Sequence, residues 1–140
     1  MVQRARNGIL FVLSALKERN FVEGLDSLVL FSGLSPWQVR IFEQGLATYT
    51  DFQKEVLISA LVDWAEEDAL LDFAPIFKAM LRDPVPGVRR AAVNGLWEDI
   101  DASLGGTLLH LLQNDPDASV RAAVAIALGR FLYLVETEEL

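Results

Sequence analysis

The chain has 140 residues, 52% of them hydrophobic and 23% charged, and its 20 acidic against 12 basic residues leave a formal net charge of −8. That length and apolar content support one packed domain and exclude a chain that is mainly disordered. The acidic balance argues against nucleic acid as a default ligand, since phosphate binding needs clustered Lys and Arg. Cysteine is absent, which removes disulfides, thiolate metal sites and cysteine nucleophiles, and a cytoplasmic location is expected because nothing demands an oxidising compartment.

Arg4 and Arg6 precede the apolar run Ile9 to Leu13, an order shared with secretory signals. The run is interrupted at Ser14 and closed by Lys17-Glu18-Arg19, has no small-residue cleavage pattern, and is far too short to cross a membrane. An amphipathic first helix from about Val2 to Glu18 is the better reading, with a turn at Arg19-Asn20 and a second helix from about Val22 to Phe31. Together they form an irregular opening hairpin over residues 1–34, with Phe11, Leu13, Leu25, Leu28 and Phe31 as the core between it and its neighbour.

Ser35 then caps a third helix, with Pro36 in its first turn and Gln38 completing a capping box. This helix carries Trp37, Val39, Ile41, Phe42 and Leu46 to about Tyr49, and Thr50 with Gln53 makes a second capping box for the fourth. A fifth helix is expected from about Glu67 to Leu81, kinked by Pro75 or delayed to start near Phe73, since proline in a helix interior removes a hydrogen bond. The sixth runs from Pro84 to about Glu98, the seventh from about Leu104 to Gln113, and the eighth starts at Pro116. Its apolar phase continues through Phe131, Leu134 and Val135 before the acidic ending 136–140.

The segment LRDPVPGVRRAAVNGLW, residues 81–97, returns as QNDPDASVRAAVAIALG, residues 113–129, with Asp83-Pro84, Val88-Arg89 and Leu96 each matched 32 residues later. A fixed period in that range with a helical apolar pattern marks stacked supersecondary units. Advancing 100° per residue gathers Val88, Ala91, Ala92, Gly95 and Leu96 on one stripe, and Val120, Ala123, Val124, Ala127 and Leu128 on its copy. Small residues in such a stripe let helix axes approach closely. The register extends back to Asp51, Val56 and Ala60, but Leu57 occupies the column of Arg89 and Arg121, and Asp63 that of Gly95 and Ala127. An unpaired buried carboxylate costs several kcal/mol, so a rotated helix with Leu57, Leu61 and Trp64 inward is expected.

The recurring D-P-x-x-x-V-R-x-A-A-x-x-x-L pattern over residues 76–135 resembles the HEAT-repeat family, in particular its short bacterial variety named after phycobilisome lyases. The resemblance implies an all-α, right-handed alpha-alpha superhelix of about eight helices in four helical hairpins. Its units would be the opening hairpin 1–34, a degraded repeat 35–66, and repeats 67–102 and 103–140, within one domain 1–140 that could belong to a longer array. It also implies a ladder of Asp and Arg between units, carried here by Asp83, Arg89, Asp115 and Arg121. Because the last unit is nearly standard rather than polar on its outer face, self-association through the C-terminal apolar end is a further expectation.

Chemistry-bearing patterns are scarce. His110 is the single histidine and stands among Leu108, Leu109, Leu111 and Leu112, which suits a packed or edge residue; the paired His-Glu motifs of HEAT-like iron hydroxylases cannot be built with one. Glu66, Glu67, Asp68 and Asp72 lack the Gly-turn ligand loop of a cation site and read as helix-start acids, as do Glu98, Asp99 and Asp101 in the following turn. Gly105-Gly106 lacks the lysine and strand of a phosphate loop and reads as a turn or loose helix start. No catalytic residue, metal or cofactor is assigned.

What remains is the face opposite the packing stripe. Its columns read Ile58, Arg90, Ala122; Val62, Asn94, Ile126; Ala65, Trp97, Gly129; with Tyr133 beyond. Trp and Arg are enriched at binding hot spots, so Arg90, Asn94, Trp97, Ile126 and Tyr133 are the candidate partner-binding residues, on what the resemblance implies is the concave face. The leading reading is a non-catalytic protein–protein scaffold or adaptor with a protein partner and neither nucleic acid nor membrane. Two alternatives come from HEAT-like relatives: a DNA-binding or DNA-repair protein of the alkylpurine-glycosylase type, against which the net charge counts, and a chromophore-lyase-like chaperone subunit.

Overall fold

The computed structural model describes residues 2–18, 25–99 and 102–137. Among these, seven α-helices follow one another: α1 Val2–Glu18, α2 Pro36–Leu46, α3 Asp51–Glu67, α4 Ala74–Met80, α5 Pro86–Leu96, α6 Ala102–Asn114 and α7 Ala118–Glu136. Two 3₁₀ segments, Leu25–Phe31 and Trp97–Asp99, complete the set. The expected second helix is thus a tighter 3₁₀ turn, and this reduces the eight expected α-helices to seven. Leu28 and Phe31, three apart, are both buried while Val29 and Leu30 are exposed, which is the facing that three residues per turn produces. The expected turn at Arg19-Asn20 and helix start at Val22 lie outside the described residues.

α3, α5 and α7 pack side by side in one row, α4 packs on α5, α6 on α7, and α2 on α4, with α1 laid against α2. This is an all-α helical solenoid. The core is continuous from Leu13 and Phe42 through Leu57, Leu61 and Phe77 to Val88, Val120 and Val124. Edge-to-face ring pairs brace the core, Phe31 on Phe42 at 5.1 Å and Phe73 on Phe77 at 6.3 Å. In α1, Phe11 is exposed rather than part of the opening core, while Leu13 and Leu16 face inward. Tyr49 spans this boundary, its hydroxyl donating to the Leu13 carbonyl at 2.5 Å.

The helices begin where local chemistry lets them. Thr50 accepts from the Gln53 N–H and Gln53 accepts from the Thr50 N–H, a reciprocal capping box that starts α3. At α2, Gln38 Oε1 likewise accepts from the Ser35 N–H. The Asp-Pro pairs do not start helices: Asp83 Oδ1 accepts from the Val85 N–H and Asp115 Oδ1 from the Asp117 N–H, each at 2.9 Å. These Asx turns carry the chain two residues further. α5 therefore starts at Pro86 rather than Pro84, behind an extended Val85. α7 starts at Ala118 rather than Pro116, with Asp117 as the cap that accepts from Ser119 and Val120.

α4 is the shortest α-helix and starts at Ala74 with Pro75 in its first turn, so the delayed start replaces the long fifth helix. Residues 68–73 form a loop instead, tied to the opening unit by Ser32 Oγ accepting from the Asp72 N–H at 2.8 Å and by Gly33 N–H donating to the Asp72 carbonyl at 2.7 Å. Gly33 makes that turn at φ +66°, a conformation glycine adopts without steric cost. Gly105 and Gly106 lie inside α6 rather than in a turn before it. In α3, Leu57 and Leu61 are fully buried, Trp64 is half-buried and Asp63 is exposed. The same rotation buries Ile58 and so removes it from the open surface it was expected to line, whereas Val62, though largely buried, still lines with Ala65 the groove that holds Asn94 and Trp97.

Candidate functional site

Between the last two units the side chains form a ladder. Arg89 is buried and grips Asp115 with two parallel bonds, Nε to Oδ2 at 2.8 Å and Nη2 to Oδ1 at 3.0 Å. Its Nη1 donates to the carbonyls of Asp83 and Pro84, so all three nitrogens of this buried guanidinium are used. Arg121 repeats half of the arrangement, with Nη1 donating to the Asp115 carbonyl at 2.6 Å. Leu57 cannot supply the preceding rung, but the ladder is not broken there. Lys54, one turn earlier on α3, reaches Asp83 Oδ2 at 3.3 Å. Sequence reading missed Lys54 because it sits outside the arginine column, although three residues back on a helix is the same face.

The candidate binding residues do not form one patch. Arg90 is exposed but tied sideways, to Glu55 of α3 at 3.7 Å and to Ser119 of α7 at 3.2 Å. It braces the row and lies outside the groove that holds Asn94 and Trp97. Ile126 and Tyr133 are exposed on α7, also outside it. Asn94 and Trp97 do come together, in a groove of about 580 Å³ at the C-terminal ends of α3 and α5. Its floor is Phe73, Phe77 and Gly95, and the Trp97 ring stands half-buried at its side. Gly95 is small for a packing reason: a Cβ there would come within 2.5 Å of the Phe77 ring.

The groove is acidic. Glu66, Asp72, Glu98 and Asp99 line it against the single guanidinium of Arg130, which lies 5.2 Å from the Trp97 ring centroid in a cation–π contact. Partial burial pushes the Asp99 carboxyl up, and the charges of Asp72 and Glu98 add to that more than Lys78 offsets. Two acidic groups of turns that look unrelated in sequence, near residues 66–72 and 98–99, thus face one aromatic floor. Asp101 of the second group lies outside the described residues. Arg130 follows Gly129, the repeat counterpart of Trp97, and the missing side chain there was the one available signal that something else could reach the indole.

A second groove has the opposite sign. It measures about 580 Å³, lies between α2 and α4, and is lined by Arg40, Lys78 and Arg82 with Glu43 as its one acid. His110 is exposed near the turn side of α6, with Asn114 Nδ2 3.2 Å from its Nδ1. Among the described residues no group of three or more His, Asp or Glu is placed to hold a metal ion, and no helix is long and apolar enough to cross a membrane.

Residues 73–139 match the family model described as HEAT repeats. No curated protein and no solved structure matches the chain.

Proposed function

Since residues 73–139 are HEAT repeats, we propose that this chain acts without catalysis, as a protein-binding module whose acidic groove beside Trp97 receives an extended segment of a partner. The observation that carries this is the convergence of four carboxylates on a groove with an aromatic wall. Such a surface suits a segment that alternates basic with apolar side chains: the apolar groups pack against the half-buried Trp97, and the cations meet Glu66, Asp72, Glu98 and Asp99. Aromatic anchors in a partly desolvated recess carry most of the energy at protein interfaces, and the charged rim sets specificity and encounter rate. A phosphate backbone would be repelled by the same rim, which disfavours a DNA partner at this groove.

The test is a titration with synthetic peptides that alternate Lys or Arg with Leu, beside versions in which each basic residue is Glu. Binding of the cationic set alone is expected, weakening with salt and lost in Trp97→Ala and in Glu98→Lys/Asp99→Lys while helical content stays unchanged. Equal affinity for both sets, or cationic binding that survives both variants, would overturn the assignment.

A further inference from the structure

The face of α7 that points away from α5 has a use of its own. In α5, Arg89, Val93 and Leu96 fall on one stripe, and this stripe faces the next unit: Arg89 holds Asp115, and Val93 and Leu96 are buried. One period later the same stripe of α7 reads Arg121, Ala125, Leu128, Leu132 and Val135, spaced i, i+4, i+7, i+11, i+14. Here Ala125, Leu132 and Val135 are exposed. The edge of Arg121 that corresponds to the one Arg89 turns on Asp115 meets no carboxylate among the described residues. This stripe is distinct from the groove, which α7 touches only through Arg130.

We infer that a second copy of this chain covers that stripe, with the two α7 helices antiparallel and crossing near Leu128. The stripe is self-complementary in that orientation. Positions 121 and 135 are equally far from 128, so Arg121 of one copy comes beside Val135 and the exposed Glu136 of the other, while Leu128 meets its own copy at the two-fold axis and Leu132 comes beside Ala125. A two-fold interface requires this: one patch that pairs with itself, basic end to acidic end. The carboxylate that Arg121 lacks among the described residues of its own chain is then supplied by Glu136 of the partner copy.

Sedimentation equilibrium of the chain is expected to give twice the 15.5 kDa mass of one copy. Leu132→Lys should give the monomer with unchanged helical content. Arg121→Glu and Glu136→Arg should each weaken the dimer, and the double variant should restore it, because reversing both charges preserves the pairing. Glu136→Arg keeps this informative if Arg121→Glu perturbs the turn at Asp115. A monomer at all concentrations, a dimer that survives Leu132→Lys, or a double variant no tighter than the singles would each overturn the inference.

Discussion

Arg89 and Asp115 form a buried two-pronged ion pair between successive units, with bonds of 2.8 and 3.0 Å and every guanidinium nitrogen engaged. Removing one partner leaves the other charged and without its counterpart in a low-dielectric site, which costs about 3–5 kcal/mol. Arg89→Ala and Asp115→Ala are each expected to lower the unfolding free energy by that amount in urea titrations. The double variant Arg89→Met/Asp115→Leu should lose markedly less than the two singles combined, since neither charge is then stranded.

The same pair sets a pH dependence. Burial acts to raise the Asp115 carboxyl, but the hydrogen bonds from Arg89 and from the Asp117 N–H, with the Arg89 charge, outweigh it and hold the group below the ordinary range. A carboxyl depressed in the folded state binds fewer protons there than in the unfolded chain. Its stabilisation is therefore present above the unfolded value of about 3.9 and is lost as pH falls through the folded value. Stability measured across the acid range should fall less steeply in Arg89→Met/Asp115→Leu than in the native chain. Asp99 has the opposite sign: its carboxyl is raised, so its unfavourable charge is relieved on acidification. The affinity of the groove for a cationic peptide should accordingly begin to weaken at a higher pH than an unperturbed aspartate would give, and Asp99→Asn should remove that contribution.

Two glycines in repeat helices make a matched test of packing. Gly95→Ala places a Cβ 2.5 Å from the buried Phe77 ring, and overpacking of this kind costs about 1–3 kcal/mol. Gly129→Ala meets nothing within 4 Å and should be neutral or stabilise by about 0.5–1 kcal/mol through helix propensity. Thermal unfolding of the two variants side by side checks the difference: Gly95→Ala should lower the midpoint and Gly129→Ala should not.

The repeats were legible because their determinants are local and periodic: Asp83 and Asp115, Val88 and Val120, Arg89 and Arg121 recur at one spacing, and the cost of burying the Asp63 carboxylate turned α3 so that Leu57 and Leu61 face inward and Asp63 outward. Helix starts were misplaced by two residues because Asp-Pro reads equally as a cap with a first-turn proline or as an Asx turn, and the choice rests on backbone hydrogen bonds that the residue types do not reveal. The opening unit was less legible, since Leu28 and Phe31 fit a helical or a 3₁₀ period over so short a segment. The groove was legible only in part. Trp97 and Asn94 follow from helical phase, but the gathering of Glu66, Asp72 and Asp99 around them depends on how the 68–73 loop folds back, and Lys54 and Arg130 reach across units from neighbouring columns.

The most direct measurement is a two-dimensional amide spectrum of the labelled chain during titration with the Lys/Leu peptide. Its three tryptophans, Trp37, Trp64 and Trp97, give separate indole signals. Binding at the acidic groove is expected to shift the Trp97 indole and the amides of Asn94, Glu98 and Asp99 together in a saturable way, leaving Trp37 unmoved. Shifts confined to the Arg40–Arg82 groove or to the Leu128–Val135 stripe, with Trp97 silent, would contradict it.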